Sequence, residues 1–329
     1  MATSMGQKKF VVGIDLGGTK ILSAIVDREG NVLSRAKKKT KAQRDPEEIL
    51  LRLEECSREA IEASGVSMDD IAGIGIGSPG PLDPITGCVL ETPNLNLSNA
   101  PIAPYLNEKI GKPVFLDNDV NVGTFGEFTY GAAKGKQHVI GIFLGTGVGG
   151  GVILNGEPFH GASLNAGELG HLKLVAYGDK CGCGDRGCLE AYASKTAMIK
   201  RIQKRVSKGK KTILTELTNG DWSKLTSSVF VKAIEANDKI TINEIKRASK
   251  FTGVAVGSLM NVLSPEMVVI GGGLVEALED QILPDIRYHA ERNCFPIMSE
   301  KCEIVPAMLG DDAGILGAAA IAWKRLEKV

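Results

Sequence analysis

The residues best suited to chemistry in this 329-residue chain include His171, Cys181, Cys183 and Cys188. Three thiolates and an imidazole form a complete tetrahedral ligand set for Zn²⁺. The glycines of Cys181-Gly-Cys183-Gly-Asp-Arg-Gly-Cys188 permit the tight loops such a site needs. The Cys-x-Cys interval is shorter than the usual zinc-ligand spacing, and the other reading is a set of unligated loop thiols. Four protein ligands leave no position for water, so the expected ion is structural. Cys56, Cys88, Cys294 and Cys302 are scattered and read as small apolar residues.

Two glycine-rich motifs point to phosphate. In Asp15-Leu-Gly17-Gly18-Thr19 the glycines let backbone N–H groups face an anion, and Thr19 adds a hydroxyl. Asp15 can hold Mg²⁺ beside a polyphosphate. Gly145-Thr146-Gly147-Val-Gly-Gly-Gly151 is the second motif. Either alone is also an ordinary hairpin turn; together they can grip a polyphosphate. Gly271-Gly272-Gly273 can admit a nucleotide to the backbone, or can simply turn a strand into a helix. In Asp117-Asn118-Asp119-Val-Asn121, Asp119 can orient a hydroxyl and accept its proton, yet Asp and Asn are also preferred helix N-caps. Glu168 and Glu190 flank the zinc cluster, where carboxylates can bind sugar hydroxyls or remain plain surface acids.

The elements that must position these groups are strands alternating with helices. Strands are expected at Phe10 to Leu16, Ile21 to Val26, Val32 to Lys39, Ile71 to Gly77, Val114 to Asp117 and Met267 to Ile270. Helices are expected at Pro46 to Ser64, Asn243 to Leu263 and Ala313 to Lys328. The alternation predicts an α/β fold with a partly parallel sheet. Gly13-Ile-Asp-Leu-Gly-Gly-Thr19 resembles Gly141-Ile-Phe-Leu-Gly-Thr-Gly147, each opening a strand–turn–strand unit. The repeat suggests two related lobes with a cleft between them, of which only the first carries an acid, Asp15 against Phe143. The expected division is 1–118, completed by the C-terminal helix over 311–329, and 119–310, which contains the zinc segment 171–188.

Bulk properties exclude several classes. Lys plus Arg and Asp plus Glu are both 39, so no net charge draws the chain to nucleic acid or anionic lipid. No apolar run reaches the roughly 18 residues of a membrane span. Met1 to Lys9 has no apolar core, so a secretory signal is not expected, and a cytoplasmic location is.

Taken in order, Asp15-Leu-Gly-Gly-Thr19, Asn118-Asp119-x-Asn121, Leu144-Gly-Thr-Gly-Val-Gly-Gly-Gly151, Glu168-x-Gly-His171 and Cys181-x-Cys183-Gly-x-x-Gly-Cys188-x-Glu190 resemble the ROK family of sugar kinases, within the actin/Hsp70/hexokinase superfamily. The likeness runs from Phe10 to the C-terminal helix. It implies a two-lobed actin-like (ribonuclease H-like) ATPase fold that uses ATP and Mg²⁺. It implies transfer of phosphoryl to the 6-hydroxyl of a hexose, with Asp119 as base. Asn94, Asn118, Asp119, Glu168, His171 and Glu190 match sugar-contacting positions. Asp15, Gly17, Gly18, Thr19, Lys20, Gly145, Thr146, Gly147, Gly272 and Gly273 match nucleotide-binding ones. His171 would serve zinc through one nitrogen and sugar through the other. Thr92-Pro93-Asn94-Leu95 resembles the form of this segment that selects glucose. Other family sugars (N-acetylmannosamine, N-acetylglucosamine, mannose, fructose, allose) and a sugar-sensing regulator without turnover are the alternatives. The first phosphate motif begins about fifteen residues in, so the N-terminal helix-turn-helix of the family's repressors is not expected. Homo-oligomers, dimers or tetramers, are common in the family.

Overall fold

The computed structural model describes residues 9–41, 45–92 and 95–328. In chain order the first elements are β1 (Phe10–Leu16), β2 (Lys20–Val26), β3 (Val32–Lys39), α1 (Pro46–Ser64), β4 (Ile71–Ser78), β5 (Leu82–Asp83), β6 (Cys88–Thr92), β7 (Leu97–Ala100), α2 (Ile102–Ile110), β8 (Val114–Asn118) and α3 (Asp119–Thr129). Next come β9 (Val139–Leu144), β10 (Val148–Leu154), β11 (Glu157–Pro158), α4 (Glu190–Ala193), α5 (Lys195–Val206), α6 (Leu214–Leu217), α7 (Ser227–Glu235) and α8 (Lys239–Leu263). The last are β12 (Met267–Gly271), α9 (Gly273–Glu291), α10 (Pro296–Ser299), β13 (Glu303–Pro306) and α11 (Ala313–Leu326). Among the described residues, no helix is long and apolar enough to cross a membrane.

The chain divides into two compact units. One holds residues up to Gly135, 151–167 and 311 onward; the other holds 136–150 and 168–310. This differs from the division expected after Asn118. Helix α3 packs on α11 and β4 and so stays with the first unit. Residues 151–167 belong there too, because Lys324 and Lys328 of α11 and its tail pair with Glu157 at 2.8 and 3.0 Å.

The first unit is built on a sheet of order β3-β2-β1-β4-β8. β1 runs antiparallel to β2 and parallel to β4, and β4 runs parallel to β8. All eight residues of β4 are buried, as a continuous small-apolar strand covered on both faces requires. Helix α1 lies over β2 and β3 and buries Ile49, Leu53, Cys56 and Ala60. Its ends are written in the sequence. Asp45 accepts from the Glu47 N–H, Pro46 opens the first turn, and left-handed Gly65 closes the last. The register places Asp15 opposite Gly77, and Gly77 opposite Asp117. Asp15 and the Asn118-Asp119 pair therefore share the carboxyl edge of one sheet, the usual ligand edge of α/β sheets.

In the second unit β12 lies parallel between β9 and β13. Gly271 is in register with Phe143, so the turns after β9 and β12 share one edge. Helices α8 and α9 pack together. Helix α8 starts at Lys239, earlier than the apolar periodicity from Asn243 suggested, because Asp238 caps it by accepting from the Thr241 N–H at 2.8 Å. Helix α11 ends at Leu326, two residues before the expected Lys328.

Helix α11 rests on β1, β4 and α3 at backbone distance. A Cβ on Gly75 would lie 1.8 Å from the Ala318 carbonyl oxygen, and one on Gly317 1.8 Å from that of Val122. We predict that Gly75→Ala lowers stability by about 3 kcal/mol or more, at or above the usual cost of overpacking. A denaturation midpoint equal to that of the parent would show that α11 does not approach so closely.

Candidate functional site

The first unit carries the Asp15 hairpin and the start of α3. Between β1 and β2 the chain turns tightly, with the Gly17 N–H donating to the Lys20 carbonyl at 3.0 Å. Thr40 braces this turn, its hydroxyl donating to the Gly17 carbonyl at 2.6 Å and its N–H to that of Thr19 at 3.0 Å. Gly18 and Thr19 are exposed at the tip. Burial pushes the Asp15 carboxyl above its ordinary value; Lys20 opposes this and Asp311 adds to it. A half-buried acid that resists ionisation suits a cation, which would stabilise the charged form.

The start of α3 decides which of Asn118 and Asp119 takes the cap. Asn118 is the N-cap of α3, its Oδ1 accepting from the N–H groups of Val120 at 2.9 Å and Asn121 at 3.2 Å. Asp119 is then the first helical residue rather than the cap. It is half-buried and accepts from the Val120 N–H at 2.9 Å. Asp117, next in line, is locked. Its carboxylate faces His160 Nε2 at 2.8 Å and Arg325 Nη2 at 2.9 Å, and accepts from the Asn118 N–H at 2.8 Å. With its side chain 1% exposed and these partners, Asp117 is an anchor for the segment. Sequence reading missed His160 and Arg325, which lie far along the chain with no motif around them. Asn94 lies outside the described residues.

In the second unit the turn between β9 and β10 is pinned from three sides. The Lys195 N–H donates to the Gly145 carbonyl at 3.0 Å, and the Thr196 N–H to that of Thr146 at 3.3 Å. The Val148 N–H donates to Glu190 Oε2 at 3.1 Å. A Cβ on Gly147 would lie 2.6 Å from that oxygen, so a larger residue here would displace the Glu190 carboxylate. Gly272, at φ 89°, caps α9 and lies against the backbone of Leu144. Gly145, Thr146, Gly147, Gly272 and Gly273 thus come to one edge.

His171, Cys181, Cys183 and Cys188 converge, with their ligand atoms all within 4.8 Å of one another. His171 Nδ1 is 3.9 Å from Cys181 Sγ, and Cys183 Sγ is 3.9 Å from Cys188 Sγ. A tetrahedron with zinc–sulfur bonds of about 2.3 Å has sulfur–sulfur edges of about 3.8 Å, so the set fits that ion. Burial pushes the Cys181 thiol up to about 12, while the Asp185 backbone N–H holds Cys183 low. A cation among them would favour the thiolate in each. His171 Nε2 faces away toward Glu168, 3.9 Å from its Oε2. Glu190 Oε1 accepts from Cys181 Sγ at 3.4 Å, so this carboxylate links the cysteine cluster to the β9–β10 turn. Lys173, absent from the expected set, donates to Cys188 Sγ at 3.2 Å.

Two mixed α/β units, each offering a glycine turn at a sheet edge, and an acid at the head of a helix define a two-lobed phosphotransferase of the actin-like class. The ROK family model matches residues 11–325, and the chain belongs to that family. A glucokinase of Halalkalibacterium halodurans is 33% identical over 94% of this chain and 93% of its own. The crystal structure of a ROK family glucokinase from Streptomyces griseus, in complex with glucose and AMPPNP, superposes with a TM-score of 0.81 at 30% identity, covering 96% of this chain and 99% of that one. The xylose repressor of Bacillus subtilis is 30% identical over 95% of this chain but only 76% of its own length.

The raised Asp15 carboxyl has a sign that can be measured. Its ionised form is penalised in the folded state, so the penalty is present above the folded pKa and vanishes below the ordinary value of 3.8. We predict that Asp15→Asn raises the melting temperature of the nucleotide-free protein at neutral pH. The gain should shrink toward zero as pH falls toward 3.8. A gain that is independent of pH would assign it to another cause.

Proposed function

We propose that this chain transfers the γ-phosphoryl group of ATP to the 6-hydroxyl of a hexose, glucose being the preferred acceptor and glucose 6-phosphate the product. The observation that supports the reading is at the start of α3, where Asn118 takes the cap and Asp119 follows as the first helical residue, half-buried. Asp119 orients the acceptor hydroxyl and takes its proton as the bond to phosphorus forms. Asn94, Asn118, Glu168, His171 and Glu190 bind the other hydroxyls, His171 through Nε2. The turns at Gly17 to Lys20 and at Gly145 to Gly147 hold the phosphates, and Gly272 and Gly273 admit the nucleoside. Asp15 would hold Mg²⁺, which neutralises charge on the β- and γ-phosphates when bound.

The relatives support this reading. A glucokinase matches nearly end to end, and a glucokinase bound to glucose and AMPPNP shares the fold. The xylose repressor carries a second reading, a sugar-responsive regulator. Turnover separates the two, since a regulator needs no base. We place the protein in the cytoplasm, whose reducing conditions keep three clustered thiols available for metal.

His171, Cys181, Cys183 and Cys188 would hold one Zn²⁺, which supplies folding energy and fixes the loop before Glu190. Cys183→Ser should release the metal and lower the melting temperature. Elemental analysis finding no stoichiometric zinc in parent protein purified without chelator rejects the site.

ADP release measured across glucose, mannose, fructose and the two N-acetylhexosamines tests the activity. Glucose should show the highest kcat/KM, and Asp119→Ala should lose roughly 10²–10⁴ in kcat with MgATP binding retained. An N-acetyl sugar preferred by about tenfold would reassign the substrate. Near-normal kcat in Asp119→Ala would move the base elsewhere.

A further inference from the structure

Glu190 opens α4, a helix of four residues, and α5 follows after Ser194, which caps α5 by accepting from the Ala197 N–H. So short a helix cannot satisfy its own last carbonyls. Arg201, one turn and a half into α5, supplies donors to them. Its Nη1 donates to the Ala191 carbonyl at 2.6 Å and its Nη2 to that of Tyr192 at 2.8 Å. Its Nε donates to Glu244 Oε2 at 2.6 Å. Glu244 lies on α8, its side chain 0% exposed, with Arg205 Nη2 a further 3.0 Å from its other oxygen. Three acceptors met from Nε, Nη1 and Nη2 suit a planar guanidinium; the three donors of a lysine ammonium sit on one atom and cannot span them.

The groups tied together are those that face the β9–β10 turn. Helix α4 delivers the Glu190 carboxylate to the Val148 N–H, and the first N–H groups of α5 reach the carbonyls of Gly145 and Thr146. We infer that Arg201, rooted on Glu244, is a positioning residue that holds Glu190 and the turn from Gly145 to Val148 as one body, so that the acceptor-binding carboxylate and the phosphate-binding turn keep a fixed spacing. This rests on the reading of that turn as phosphate-binding. Arg201 touches no reacting atom; it acts through the two helices.

The test uses full-length, zinc-loaded protein and three variants. Arg201→Met and Arg201→Lys break the fork. Arg287→Lys is the control, losing a bond from Nε to the Ile304 carbonyl at 2.8 Å between α9 and β13. Zinc content, MgATP affinity by calorimetry without sugar, and kcat with both KM values are measured for each. Arg201→Met should weaken MgATP binding about threefold or more and lower kcat roughly tenfold or more, with zinc retained. Arg201→Lys should recover melting temperature but not MgATP affinity, because lysine restores charge without the fork. The inference is overturned if both variants lose melting temperature as the control does while affinity, kcat and KM stay within about twofold of the parent. Should Arg201→Met fail to fold, Arg201→Lys decides by the same criteria. A parent that binds MgATP yet phosphorylates no sugar overturns the kinase reading, whereas the affinity comparison still decides the role of Arg201.

Discussion

The first unit depends on one close approach, that of α11 to the backbone of β4 and α3. No side chain separates Gly75 from the Ala318 carbonyl, or Gly317 from that of Val122. The run Ala318 to Ala322, with Ile315, Leu316 and Trp323, supplies a thin apolar helix for this gap. Packing at this range gains dispersion from many atoms and leaves no void. It also sets the axial position of α11, and with it the reach of Arg325 into Asp117. A buried carboxylate is tolerable only when paired, and losing one partner of such a pair typically costs about 3–5 kcal/mol. Asp117 has two, Arg325 from the end of the chain and His160 from the segment after β11. The backbone that presents Asn118 and Asp119 is thus held by distant parts of the same unit.

The second unit solves the corresponding problem with short elements. Between Leu169 and Ser194 there is little regular structure to bury: a 3₁₀ turn, two isolated β-bridges and α4. Such a stretch lacks a core large enough to fix it, and small loop-rich regions commonly rely on metal or covalent staples. Here the cluster of His171 with three cysteines lies at one end and half-buried Arg201 paired with buried Glu244 at the other. Glu190 sits between them, and both of its oxygens are engaged. Phe251 stacks on Tyr192 at 4.1 Å, with Arg247 near both rings, which adds an apolar floor below the cluster.

Not all of this favours stability. Asp15 is kept in surroundings that disfavour its charge, with Asp311 adding to the effect. Sites built for a charged ligand commonly carry such a cost in the empty protein, and binding offsets it. The kinases and the xylose repressor that resemble this chain share the family fold, so the fold alone does not assign catalysis. The reading rests on particular side chains at α3 and in the two glycine turns.

Much of the architecture was legible in the sequence because its signals are local. Asp45, Pro46 and Gly65 mark both ends of α1, β1 and β4 follow from short apolar runs, and β3 follows as the return after the turn residues Asp27 to Asn31. The glycine turns and the convergence of His171 with Cys181, Cys183 and Cys188 were legible as well, since their residues are near neighbours in the chain or carry distinctive chemistry. Only the tertiary structure decided the choice at Asn118 and Asp119, because both can cap a helix and the backbone geometry selects one. It alone brought His160 and Arg325 to Asp117, and Arg201 and Glu244 to the end of α4. The division between units moved from Asn118 to Gly135 for the same reason, as α3 belongs with α11, which lies at the far end of the chain. Contacts between residues distant in sequence leave no local pattern; they exist only once the sheet edges and helix faces have been brought together.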